Sequence, residues 1–103
     1  MVLLRQYVKK REVLSLISKR TKEGKLTSFR TLVRDLELSP DAACSHLKRL
    51  WRERLIRSEE YPPRWGTGLG PGESVRELHF KLARRGREKL DWWARQEESK
   101  WAL

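Results

Sequence analysis

Residues 39–52, SPDAACSHLKRLWR, sort into two kinds of side chain at helical spacing. Ala43, Leu47, Leu50 and Trp51 fall at i, i+4, i+7 and i+8 and form one apolar stripe. The opposite face carries Asp41, Ala42, Ser45, Lys48, Arg49 and Arg52. A hydroxyl and cations gathered on one helix face can hold phosphate oxygens, and arginine and lysine can also meet the acceptor edge of guanine. The same face would serve as an ordinary solvated surface. Asp41 opposes an anionic partner but suits the positive N-terminal end of a helix.

Other chemistries find little in this chain. Cys44, His46 and His79 supply too few ligands for a zinc site, so no metal is expected. The glycines of GTGLGPG, at positions 66, 68, 70 and 72, do not lie between a strand and a helix, which excludes a dinucleotide loop. Without a paired-carboxylate signature or a nucleophile with its base, neither catalytic residues nor a cofactor is expected.

The charge favours a polyanion. Lys and Arg number 24 against 14 Asp and Glu in 103 residues, a net +10 with a pI near 10.4. Nucleic acid and acidic membrane surfaces are the partners such an excess suits. Residues 1–34 hold ten cations and two acids, a net of +8, so the first third carries most of the field. A single cysteine allows no internal disulfide, and MVLLRQYVKK is too short for a signal core or a membrane span. A single cytoplasmic domain is therefore expected. The absence of Asn, with only Gln6 and Gln96 and 37% charged residues, is a thermophile-like composition.

These side chains need elements to position them. KREVLSLISKRTKEGK predicts a first helix stopped by Gly24. Leu3, Leu4, Tyr7 and Val8 either extend it or form a separate arm. Thr27 or Ser28 caps a short helix on which Phe29, Leu32, Val33 and Leu36 share a face. Ser39-Pro40 opens the third helix, with serine as cap and proline at the first helical position. LIRSEEY and SVRELHFKL then alternate as strands, the second placing Arg76, Leu78, Phe80 and Leu82 on one side. Between them, PPRWGTGLGPGES holds three of the four prolines and is a long loop. ARRGREKLDWWARQEESKWAL returns to helical spacing.

Helix, short strand, two helices with a tight turn, hairpin, helix: this order resembles a winged helix-turn-helix domain of the ArsR and MarR type. FRTLVRDLELSPDAACSHLKRLWRERLI resembles that family's leucine-rich helix, its "LS" and the helix bearing S-x-HL-xx-L. FKLARRGREKL is similar to its Y-x-L-T-x-x-G-x-x-L, and REVLSLI to its opening helix. Together they span most of residues 11–91. Four positions depart from the pattern: Arg54 stands where the family has glycine, Cys44 where it often has serine, Ser45 where it often has arginine, and Ala83 where threonine would cap the last helix. The wing tip is also longer than the family's.

The resemblance implies an α+β, mostly α fold: a three-helix core, a two-stranded β-wing with a long tip, and a C-terminal helix. Residues 11–82 would form core and wing, with 1–10 and 83–103 as terminal helical segments. It implies a transcriptional regulator binding double-stranded DNA as a homodimer, with no small-molecule ligand evident. Ser39, Ala42, Ser45, His46, Lys48, Arg49 and Arg52 on the recognition helix become DNA contacts. Ser28, Arg30 and Arg34 would meet the backbone, and Arg64 and Trp65 would lie at the wing tip. Leu3, Leu4 and Tyr7 at one end, and Leu90, Trp93, Ala94 and Trp101 at the other, would form the dimer interface. The alternative is a winged-helix module that docks on another protein in a nucleic-acid-associated assembly, using its aromatic last helix.

Overall fold

A computed structural model describes residues 9–59 and 75–101, with side chains as far as Glu97. The expectations for Leu3, Leu4, Tyr7, Arg64, Trp65 and the Trp101 side chain lie outside the described residues. The elements are α1 (Lys10–Lys22), β1 (Thr27–Ser28), α2 (Phe29–Asp35), α3 (Pro40–Arg52), β2 (Ile56–Ser58), a 3-10 turn (Val75–Glu77), β3 (His79–Leu82) and α4 (Arg84–Trp101). The fold is α+β and mostly helical, with a three-stranded antiparallel sheet in the order β1-β3-β2.

Local chemistry sets most of the helix ends. Lys9 is extended, so α1 begins at Lys10 and does not run unbroken from Leu3. It ends in a Schellman motif: Gly24 has φ +76°, its amide donates to the Thr21 carbonyl at 3.0 Å, and the Lys25 amide donates to that of Arg20 at 2.8 Å. The same bonds close α3, from Arg54 to Trp51 and from Leu55 to Leu50, both at 3.0 Å. Here the left-handed position is taken by Arg54, at φ +63°. The Schellman geometry thus forms without a glycine, in a conformation that costs an L-residue roughly 1–2 kcal/mol. Glu37, at φ +53°, turns the chain between α2 and α3 in the same way.

At the other ends, the Ser39 hydroxyl accepts from the Ala42 amide at 3.3 Å with Pro40 behind it, as Ser-Pro predicts. Ser28 caps α2; its amide donates to the Thr31 hydroxyl at 3.2 Å.

The core is assembled from stripes. Val13, Leu14 and Ile17 of α1, Leu32 of α2, and Ala43, Leu47, Leu50 and Trp51 of α3 close over Ile56 and Phe80 of the sheet. Trp51 meets Phe80 edge-on, with ring centroids 5.6 Å apart. β1 pairs only with Phe80 and His79, so past its end the Leu82 amide donates to the Thr21 hydroxyl at 3.0 Å instead.

Two strand expectations are corrected. The expected two-stranded wing is part of a three-stranded sheet, because β1 adds to the far side of β3. The alternation expected from Val75 onward holds only from Leu78, where Leu78 and Phe80 are buried and His79 is exposed. Residues 75–77 form a 3-10 turn, and the buried residues are Val75 and Leu78, three apart as that turn requires.

α4 is seated by backbone contact. A Cβ on Gly86 would lie 2.2 Å from the Leu55 carbonyl oxygen, which accepts from the Ala83 amide at 3.0 Å. Only glycine lets the helix come this close to the start of β2. Further along, Leu90 and Trp93 pack on the core, and Arg11 of α1 pairs with Glu97.

Candidate nucleic-acid interface

The face of α3 opposite the core is open. Asp41, Ser45, Lys48, Arg49 and Arg52 are all exposed, while Ala43, Leu47, Leu50 and Trp51 on the inner face are buried. Among the described residues, Lys48, Arg49 and Arg52 have no ion-pair partner. Ala42 and His46 are half-buried at the margins of this face, and Ala42 packs against the core. Ser39 is buried and its hydroxyl is taken up by the cap. Asp41 sits in the first turn, where a carboxylate complements the helix dipole.

α2 contributes unevenly. Arg30 is exposed and unpaired among the described residues. Arg34 is exposed but its Nε donates to the Asp35 carboxylate at 2.8 Å. That bond raises Arg34 further above its ordinary value and holds Asp35 below the usual carboxylate value, with burial working against the second shift. Ser28 is half-buried, its hydroxyl 3.3 Å from that of Thr31.

Ion pairing removes much of the charge that looked available in the sequence. Lys10 pairs with Glu53, Arg11 with Glu97, and Lys25 with Glu23 at 3.4 Å. Arg20 donates to the Leu26 carbonyl at 2.7 Å. In the sheet, Glu59 takes both Arg57 at 3.2 Å and Lys81 at 3.3 Å.

Of the proposed dimer residues, Leu90 and Trp93 are half-buried against the chain's own core, whereas Ala94 is exposed. The sequence reading passed over Trp92, which is 46% exposed with the Lys89 ammonium 4.7 Å from its ring. It also passed over Arg76, which stacks on Phe29 at 4.7 Å and donates to the Cys44 sulfur at 3.2 Å. The Lys89–Trp92 pair has the i, i+3 spacing of helix neighbours and was open to sequence reading. Arg76, by contrast, meets Phe29 and Cys44 from a distant part of the chain, with no local spacing to betray it. A third omission, the arginines at the base of α4, was signalled by the run ARRGR.

Among the described residues, no group of three or more His, Cys, Asp or Glu is placed to hold a metal ion. No described helix is long and apolar enough to cross a membrane. Comparison with known protein families, characterised proteins and solved structures gives no match to this chain.

Proposed function

We propose that the chain is a winged helix-turn-helix protein that binds double-stranded DNA with α3 as its recognition helix. The observation that carries this reading is the outer face of α3. It presents a hydroxyl and three cations that are unpaired among the described residues, on a helix whose inner face is buried. The order α1-β1-α2-α3-β2-β3, with β3 between the other strands, is compatible with that layout.

A helix of 13 residues is roughly 20 Å long, and its diameter of roughly 10–12 Å fits the roughly 12 Å width of the major groove. In this pose Ser45 meets base edges or phosphate, and Lys48 and Arg49 bind phosphate or guanine. Arg30 of α2 holds the backbone beside the groove. A transcriptional regulator acting as a homodimer is the role this implies, and the exposed Trp92 supports pairing through α4.

The test is fluorescence anisotropy of a labelled mixed-sequence duplex across a salt series. Tight binding that falls steeply with salt is expected, as for an interface of several phosphates. No binding at roughly 50 mM salt would overturn the reading. Light scattering tests the dimer: a monomer with DNA absent and present would remove that part. The neutralised sheet and exposed Trp92 favour, as a second reading, a module that docks on another protein. Stable capture of a defined protein partner without DNA affinity would select it.

A further inference from the structure

Three hollows adjoin one another around the base of α4. The first lies between the end of α3 and α4, lined by Arg52, Arg54, Arg85 and Lys89 among others. The second shares Arg54 and Arg85 with it and adds Arg84. The third shares Arg84 and reaches Arg57, Lys81 and Arg87. They make one belt, lined also by Glu53 and Glu88. Its open cations among the described residues are Arg52, Arg54, Arg85, Arg87 and Lys89, since Arg84 is paired with Glu88 and both Arg57 and Lys81 with Glu59.

The acids that line or border the hollows are engaged, whereas Asp91, one turn beyond Arg87, stays open among the described residues. Glu53 pairs with Lys10, Glu88 with Arg84 at 3.3 Å, and Glu59 with Arg57 and Lys81. Arg52, Arg54, Arg85 and Arg87 have no ion-pair partner among the described residues.

This belt is placed against the interests of stability. The first turn of α4 holds no acid, and its cations oppose the helix dipole. Ala83, which precedes the helix, offers no side-chain oxygen to its free amides. Arg54 holds a left-handed conformation that glycine adopts more easily. Three local rules are broken around one patch, which is the pattern of a surface kept for binding.

We infer that the arginine belt is a second contact for the DNA backbone, extending the footprint beyond α3. The inference rests on the DNA-binding reading, because Arg52 belongs to both the α3 face and the belt. A repeating polyanion matches cations spread over adjoining open hollows better than one small anion does. A membrane surface fits less well, since insertion needs exposed apolar side chains beside the cations. Here the apolar lining residues Leu55 and Ala83 are buried and Leu82 is half-buried, so Trp92 beside Lys89 is the one large apolar side chain exposed near the belt among the described residues.

The test compares three full-length variants with the wild type on mixed-sequence duplexes of about one and about two helical turns. The belt variant is Arg54→Gly with Arg85→Gln and Arg87→Gln; the face variant is Lys48→Ala with Arg49→Ala. A charge-matched control is Lys9→Gln with Lys19→Gln and Lys22→Gln, and thermal melts check that each variant folds. The belt variant should bind the short duplex within about twofold of wild type but lose about tenfold or more on the long one. Its log–log salt slope on the long duplex should be shallower by roughly 2 to 3, against under about 1 for the control.

Equal behaviour of belt and control variants on both lengths would overturn the belt. So would unchanged duplex affinity combined with lost binding to phosphatidylserine vesicles. If the face variant binds as wild type while the belt variant does not, α3 is no longer the recognition helix and the belt stands as the main contact. A wild type that binds neither duplex ends both proposals.

Discussion

Residues 9–25, which contain α1, carry seven cations and two acids, whereas α3 carries three cations and one acid. In the folded chain, Lys10, Arg11, Arg20 and Lys25 are engaged by carboxylates or a carbonyl, leaving Lys9 at one end and Lys19 and Lys22 at the other. On α3, Lys48, Arg49 and Arg52 crowd one face within five residues and stay unpaired among the described residues. Formal charge and charge open to a partner are therefore different quantities. A carboxylate held within reach cancels a cation's long-range field, although an exposed pair adds little to stability. The region that is richer in charge is thus not the one better suited to concentrate it on a ligand.

Swapping the sites of charge removal tests this contrast most strongly. Lys48→Ala with Arg49→Ala should weaken duplex binding at low salt by about a hundredfold, on the order of 2–3 kcal/mol for two contacts. Lys10→Ala with Arg11→Ala should cost less than about threefold, since those cations already have partners. Equal losses in the anisotropy titrations would dissolve the contrast.

The α4 base gives the next largest effect. Gly86→Ala forces a methyl group onto the Leu55 carbonyl, and overpacking of this kind should lower unfolding free energy by about 2 kcal/mol in a urea titration. A neutral result would mean that α4 can shift away from β2, and with it the belt.

Ala83→Ser adds the missing cap and should raise stability by about 0.5–1 kcal/mol in the same titration. It should also weaken long-duplex binding slightly, because the new hydroxyl competes for amides that the belt leaves open. A stabilised variant with tighter binding would argue against an anion at that site.

The smallest effect concerns Asp35. Its carboxyl titrates below its ordinary value because Arg34 donates to it, so its contribution is present above the unfolded value and lost as pH falls through the folded one. Asp35→Asn should therefore cost slightly at neutral pH and nothing in acid. In an NMR titration, Arg34→Ala should move the Asp35 midpoint upward; an unmoved midpoint would leave Arg34 free to act on DNA.

Much of the architecture was legible because it is local. The apolar stripes of α1 and α3, the Ser39-Pro40 start and the stop at Gly24 each depend on residues within about two helical turns. The strands were less legible. SVRELHFKL alternates plausibly throughout, yet Val75–Glu77 coil into a 3-10 turn that buries Val75. Period-2 and period-3 patterns coincide over so short a run. For the candidate site, the outer face of α3 followed from periodicity and the Ser39 cap from the Ser-Pro pair, but the pairing of Arg34 with Asp35 did not, since it depends on which neighbour the side chain meets.

By itself the sequence determined a basic, mostly helical chain with a tight turn between α2 and α3 and a polar, cationic face on α3. Only the tertiary structure decided which cations remain open, that β1 completes the sheet, and that Gly86 lets α4 bring Arg84, Arg85 and Arg87 beside Arg54 and Arg57. The reason is the range of the interactions. Caps and helix faces join residues a few positions apart, whereas Arg11 meets Glu97 across 86 positions, and a separation of that size acquires a distance only when the core packs.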